Sequence, residues 1–283
     1  MAVTPSPTVR RKRLGAELRR LREQARLSCE SVGQRLDCSG TRISRLETGR
    51  ISVRPGDVRE LLEVYGVTGD QAGALVELAR EARRKGWWHR FGPVMPSWLE
   101  PYLGLEAEAA RLRDFQSMVL PGLVQTEDYT RAILRAAPGA ECRAGDIEQQ
   151  VALRMERQAV LDGAAPPELR LVLSEGALQV QVGGPEVMRA QLRKLAEVAG
   201  RGQVTLQVLP ARAAAHVQAV SPFTILDFAN PADPPVVYTE HLTGSLVLDD
   251  PGEVRAYTAV FERLRAEALD PRPSLDLIAA SAS

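Results

Sequence analysis

Residues 28–50, SCESVGQRLDCSGTRISRLETGR, constrain this chain more than any other stretch. Two serines, Ser28 and Ser39, stand where helix N-caps belong, each offering a side-chain oxygen to a free backbone N–H two or three residues on. Behind Ser28 the pattern predicts a helix over 29–36, with Val32 and Leu36 facing inward and Glu30 in the first turn, where a negative charge suits the helix dipole. Gly33 falls where a second helix must approach closely, and Asp37-Cys38 form a tight turn. Behind Ser39 a helix runs over 40–47 on the inward pair Ile43 and Leu46, and Gly49 stops it. Thr41, Arg42, Ser44 and Arg45 are left on the outer side. Two short helices joined by a tight turn, the second rich in Ser, Thr and Arg, match the geometry that lays a recognition helix in the DNA major groove.

The flanks extend this into a five-helix unit. Leu14, Leu18, Leu21 and Ala25 repeat at helical spacing in LGAELRRLREQA. A fourth helix opens at Pro55, carries Val58, Leu61, Leu62 and Tyr65, and ends at Gly66. A fifth, capped by Asp70, runs through Leu75, Leu78 and Ala82 to about residue 84.

With these residues in view, the stretch from Leu27 to Arg50 resembles the lambda-repressor-like, or xenobiotic-response-element, family of helix-turn-helix regulators, whose serine-capped recognition helix ends in the I-S-R-L-E-x-G pattern present at Ile43 to Gly49. The resemblance implies that Thr41, Ser44 and Arg45 contact bases, Arg45 bidentately to guanine. Arg42, Thr48 and Arg50 are the matching phosphate contacts, with Ser28 and Ser39 heading helices whose N–H groups grip phosphate. Arg10, Arg11, Lys12 and Arg13 read as a flexible arm that follows the backbone or enters a minor groove. The chain departs from the family pattern at Cys29, where glutamine is common, and at Gly40, where a longer side chain often reads a base. Glu47 is expected to be structural, held by a neighbouring arginine.

Charge agrees with a nucleic-acid-binding head. The formal net charge is zero, yet residues 1–90 hold 19 Lys and Arg against 11 Asp and Glu, and residues 91–283 hold 17 against 25. A basic head and an acidic body point the head at a polyanion. The basic N-terminus has no apolar core or cleavage site, no apolar run reaches the roughly 20 residues a membrane helix needs, and three cysteines without a CxxC pair suit a reducing compartment. The expectation is a cytoplasmic protein that does not engage membranes.

Beyond residue 84 the rhythm changes. GWWHRFGPVMPSW, within a connector over 85–98, is rich in Trp and Pro and reads as ordered rather than flexible. Helices are predicted over 99–116, from Thr126 through Leu134, over about 146–161, from Gly184-Pro185 to Ala199, and as a final long helix after Asp250-Pro251. Strands are predicted at 168–174, 203–209, 223–228, 236–240 and 245–248. The fold class is therefore α+β: an all-α head over 1–84, and an α/β domain over 99–283 with a mixed sheet of about five strands.

This second region also resembles a known group. The succession GWWHRFG, LEAEA, VLPGLVQTEDYTRA, VGGPEVMRAQLRKL, VTLQVLP and VVYTEHLTGSLVLDDP is similar to an uncharacterised, antitoxin-like domain found behind such heads in actinobacterial regulators. The resemblance implies a sensory or interaction domain, with a small partner protein encoded nearby. No HExxH, GxSxG or GxxxxGK[ST] motif is present, so no metal, cofactor or catalytic role is expected. The one polar constellation singled out is His216, Glu240 and His241, which would converge into a ligand site if their strands were neighbours. Together these features predict a sequence-specific regulator, homodimeric on palindromic double-stranded DNA, whose body receives a small partner protein or ligand. The alternative is an antitoxin-like protein that neutralises a neighbouring gene product and autoregulates its operon.

Overall fold

The computed structural model describes residues 7–49, 51–83, 86–137, 144–213, 220–231 and 233–282. The chain divides into two compact units, residues 2–89 and 90–283.

The first unit is all helix: α1 (Pro7–Gln24), α2 (Cys29–Arg35), α3 (Gly40–Glu47), α4 (Pro55–Tyr65) and α5 (Gly69–Glu81). Its core joins Leu14, Leu18 and Leu21 of α1 to Val32, Ile43, Leu46, Val58, Leu61, Leu62 and Leu75. Ser28 and Ser39 cap as expected, accepting from Ser31 N and Arg42 N. Gly49 adopts φ +68°, the left-handed conformation that ends α3. Asp70 does not cap α5. The N-cap is Thr68, and Asp70 lies within the first turn, where its charge still suits the dipole. After α5, Trp87–Phe91 form a 3-10 turn.

Two corrections concern the ends of predicted helices. Helix α1 begins at Pro7, a residue suited to a first turn. Arg10, Arg11, Lys12 and Arg13 are therefore helical rather than a flexible arm. The segment expected as one helix over 99–116 is α6 (Leu99–Glu106) followed by β1 (Ala109–Gln116).

The second unit is a mixed sheet with helices on it. Its remaining α-helices and strands are α7 (Glu127–Ala136), α8 (Ala144–Arg157), β2 (Glu168–Ser174), α9 (Gly176–Gln179), α10 (Pro185–Ala199), β3 (Val204–Leu209), β4 (Phe223–Phe228), β5 (Val236–His241), β6 (Gly244–Leu248), α11 (Pro251–Glu267) and α12 (Pro271–Ser281). The six strands lie in the order β3-β2-β1-β4-β5-β6. β1, β2 and β3 are parallel, whereas β4 is antiparallel to β1, β5 to β4 and β6 to β5. β1 is thus the strand from which the order turns back, and β1 and β5 end at the same edge. The overall class is α+β, with the unexpected β1 making six strands instead of five among the described residues.

Alternation along the strands sorts two faces. Phe115, Val172, Phe223, Ile225 and Val237 form one core with Val254, Phe261 and Leu264 of α11. The register Asp114↔Thr224↔Tyr238 runs across β1, β4 and β5 on the opposite face.

Candidate nucleic-acid interface

The recognition helix is fixed from behind. Ile43, Leu46 and Glu47 are buried, while Thr41, Arg42, Ser44, Arg45 and Thr48 are exposed. At 100° per residue, Thr41, Ser44, Arg45 and Thr48 share one stripe, and Arg42 stands about a quarter-turn away. Arg42 makes an exposed ion pair with Asp57 of α4 at 3.3 Å, a contact worth under about 1 kcal/mol and easily released. The Thr48 hydroxyl donates to the Ser44 and Arg45 carbonyls, at 3.0 and 3.2 Å, and would have to leave them to reach a phosphate.

Glu47 is the anchor. Arg22 of α1 donates bidentately to it at 2.7 and 2.9 Å and also bonds the Leu27 carbonyl at 2.7 Å. Hydrogen bonding to Glu47 pushes the Arg22 pKa up, so the guanidinium stays charged. The Cys29 thiol lies 3.9 Å from Glu47, and burial, then the Glu47 charge, raises its pKa. Cys29 is thus a protonated packing group beside the anchor.

Gly40 is buried, and a Cβ there would sit 3.0 Å from the Glu30 backbone and 2.1 Å from Glu30 Oε2. It is a point of close approach between α2 and α3, so a longer side chain there would force the helices apart rather than reach a base. Gly33 has the same role from the other side, with a Cβ falling 2.6 Å from the Cys38 carbonyl oxygen. A third close approach escaped the sequence reading: on Gly15 a Cβ would lie 2.4 Å from the Glu47 carbonyl oxygen.

Among the proposed phosphate contacts, Arg10 is corrected. Only 3% of it is exposed, its Nη1 donates to the Glu81 carbonyl, and it pairs with the Glu81 carboxylate at 3.5 Å. Its guanidinium ties α1 to α5 inside the head and is buried away from solvent. Arg11 and Arg13 are half-buried along α1. Arg50 lies outside the described residues, as does His216.

In the body, Glu240 and His241 of the supposed ligand trio lie among the described residues, and His216 does not. The strand before His216, β3, stands four positions from β5 in the sheet, roughly 19 Å away at the usual strand spacing. The condition that the strands be neighbours fails. Glu240 and His241 are adjacent on β5 and so point to opposite faces. Glu240 accepts from the Tyr238 hydroxyl at 2.7 Å, and His241 Nδ1 lies 3.4 Å from the Thr243 hydroxyl.

A different polar cluster occupies the Asp114 face. Arg157 of α8 donates to both oxygens of the buried Glu106 at 2.6 and 2.5 Å, bonds the Tyr102 hydroxyl at 3.2 Å, and stacks over that ring at 4.9 Å. Tyr102 in turn packs on Tyr238 with centroids 4.0 Å apart. Burial opposes the charge on Arg157, yet Glu106 more than offsets it and the pKa is raised. Asp114 accepts from Gln116 at 2.9 Å, and burial pushes its carboxyl up to about 6.

Beside this cluster, the loop 120–126 is pinned by amides. Gln125 bonds the Leu120 carbonyl, Gln158 bonds the Gly122 and Gln125 carbonyls, Gln191 bonds the Val124 carbonyl and Thr126 N, and Lys194 bonds the Gln125 carbonyl and Gln158. The sequence held one unused signal of this. In α8 and just beyond it, the inward stripe Ile147, Val151, Leu161 is interrupted at its i+3 and i+4 steps by Arg154 and Gln158. Polar groups on a buried stripe need partners, and these supply them.

No helix of the described residues is long and apolar enough to cross a membrane, and no cluster among them has the makings of a metal site. No curated protein and no solved structure matches the chain. Residues 13–75 match a helix-turn-helix domain, which runs from within α1 to the middle of α5 and so includes the exposed stripe of α3. Residues 99–280 match a domain of unknown function, DUF5753, which takes in the whole sheet. With that match spanning more than half its length, the chain belongs to the DUF5753 family and carries its helix-turn-helix domain at the amino-terminal end.

Proposed function

We propose that the protein is a sequence-specific transcriptional regulator that binds a palindromic operator as a dimer through residues 1–84, and that the body over 99–283 receives a small partner or ligand. The observation that carries the DNA reading is the exposed stripe Thr41, Ser44, Arg45 on a helix held by the Arg22–Glu47 pair. A helix held from behind presents its outer side chains in a fixed register, which base readout demands. Arg45, Thr41 and Ser44 read base edges. Arg42, released from Asp57, and the free N–H groups of the helices that Ser28 and Ser39 head hold phosphates, with Arg11, Arg13, Thr48 and Arg50 as further contacts.

Footprinting on the DNA upstream of its own gene, at about 50–100 mM salt, tests this directly. The expected result is a protected palindrome with half-sites about one helical turn apart. Arg45→Ala is expected to weaken binding to that site by about 1–3 kcal/mol and leave weak binding to random DNA unchanged. An equal loss on random DNA would reduce Arg45 to a phosphate contact, and an unprotected upstream region would remove autoregulation.

A further inference from the structure

Arg154 is a cation with no ion-pair partner among the described residues. Its Nη1 donates to Gln125 Oε1 at 2.8 Å, and that oxygen already accepts from the Thr130 hydroxyl at 3.0 Å. A guanidinium has five N–H donors. Among the described residues this neutral amide is the one hydrogen-bond partner Arg154 has, and no carboxylate pairs with it. Its neighbour Arg157 takes Glu106 for itself through both oxygens. Burial, and then the like charge of Arg157, bring the Arg154 pKa down to about 10, which leaves it charged at neutral pH. A half-buried charge held only by a neutral group is costly, and one more anion would offset that cost.

The position suits a ligand. Arg154 lies next to Gly122, where a Cβ would stand 3.7 Å from its Cδ and 3.1 Å from Arg157 Nη1, so the loop after β1 leaves its backbone against the two guanidinium-bearing side chains. Glu240, the charge of opposite sign that Arg154 feels most, stands at the end of β5. The cluster thus gathers where β1 and β5 end, next to the strand at which the sheet order turns back. Sheets of this kind place their ligands outside that edge.

We propose that Arg154 anchors the carboxylate or phosphate of a small anionic ligand at the β1 and β5 edge of the body, beside the Gly122 backbone. The proposal rests on the reading of the body as a receiver and gives its ligand a chemical class. Arg157 is spent on Glu106 and positions Tyr102. Arg154 offers its remaining donors to the ligand, and planar bidentate recognition of carboxylate or phosphate is what a guanidinium does best.

The test is thermal unfolding of the full chain in chloride, acetate and inorganic phosphate at matched ionic strength, for the wild type and for Arg154→Met. Phosphate stabilises most proteins without a site, so the response of the variant is the baseline. The expected result is a saturable rise in the wild-type midpoint that exceeds the rise in the variant by about 5 °C, in acetate for a carboxylate site or in phosphate for a phosphate site. Met replaces an unpaired charge with a flexible apolar side chain, so the variant is expected to melt higher than wild type in chloride. Should it fail to fold, Arg154→Gln, which keeps a donor for Gln125, takes its place. Equal responses in wild type and variant, or none in either, overturn the site. A mobility shift on the operator in the same buffers separates this from the wider reading. Anion binding that changes the DNA affinity of the wild type, and not of the variant, supports both. Anion binding with unchanged DNA affinity supports the site and counts against its control of DNA binding.

Discussion

Asp114 sits in the middle of the sheet on the same cross-strand row as Thr224 and Tyr238, and burial lifts its carboxyl from 3.8 to about 6. Between those values the folded chain keeps a proton that the unfolded chain has released. Stability therefore falls as pH rises through that window, and the full penalty, roughly 3 kcal/mol at most, remains above it. Asp114→Asn keeps an acceptor for Gln116 and removes the charge. It is expected to flatten the pH dependence between about 4 and 6 and to raise stability at pH 7.5 by about 1–3 kcal/mol, read from urea titrations of both proteins at the two pH values. A variant that tracked wild type across this range would show Asp114 to be ionised without cost. At this scale the sequence was legible where a residue acts through its neighbours in the chain. The caps Ser28 and Ser39 and the stop at Gly49 all follow local rules. It was opaque where the partner is distant. Gly40 looks like a lost base reader until Glu30 is seen against it, and nothing near Arg10 in sequence announces Glu81.

The strand β1 shows the same divide between elements. LEPYLGLEAEAARLRDFQ is built of good helix formers, and local propensity extends α6 to the end of it. Pairing on both sides decides otherwise: β1 bonds β2 along one edge and β4 along the other, and a central strand gains more from two ladders and a buried face than propensity can withhold. Its arginines are matched across the sheet. Arg113, 9% exposed in its side chain, makes a two-pronged contact with Asp227 of β4 at 2.8 and 3.0 Å. Arg111 pairs with Glu168 of β2 at 2.6 Å, with side chains about two-fifths exposed on either partner. The two pairs are expected to differ in worth. Asp227→Ala strands a buried cation and should cost about 3 kcal/mol of unfolding free energy, whereas Glu168→Ala, on a solvent-screened pair, should cost under about 1 kcal/mol. Equal losses in denaturant titrations would mean that the Arg113 pair is screened as well as the other. The five predicted strands all carried alternation or apolar runs bounded by turns. β1 carried neither cue, because its charges are paid back only by strands about 55 and 115 residues later.

Across the whole molecule the net charge is zero, so attraction to DNA depends on which end of the chain faces it. The excess of basic residues lies in the first ninety, and at about 0.1 M salt the acidic excess of the rest is screened beyond roughly 10 Å. Affinity is then set by how many phosphates the head neutralises, which the salt dependence counts: the slope of log K against log salt is about −0.9 per phosphate contacted. The distinction between arginines on the surface and arginines inside the head becomes measurable here. Arg42 is exposed and leaves Asp57 at little cost, so Arg42→Ala is expected to make the slope shallower by about 1 per protomer. Arg10 carries the same formal charge but is buried against Glu81, so Arg10→Ala should leave the slope unchanged and instead lower the unfolding midpoint of the head. The pair of variants, measured by mobility shift across a salt series and by thermal unfolding, separates basic residues that bind DNA from those that build the domain. A slope that fell as far in Arg10→Ala as in Arg42→Ala would mean that the start of α1 unwinds on DNA and serves as an arm after all, which the helix beginning at Pro7 and the pairing with Glu81 argue against.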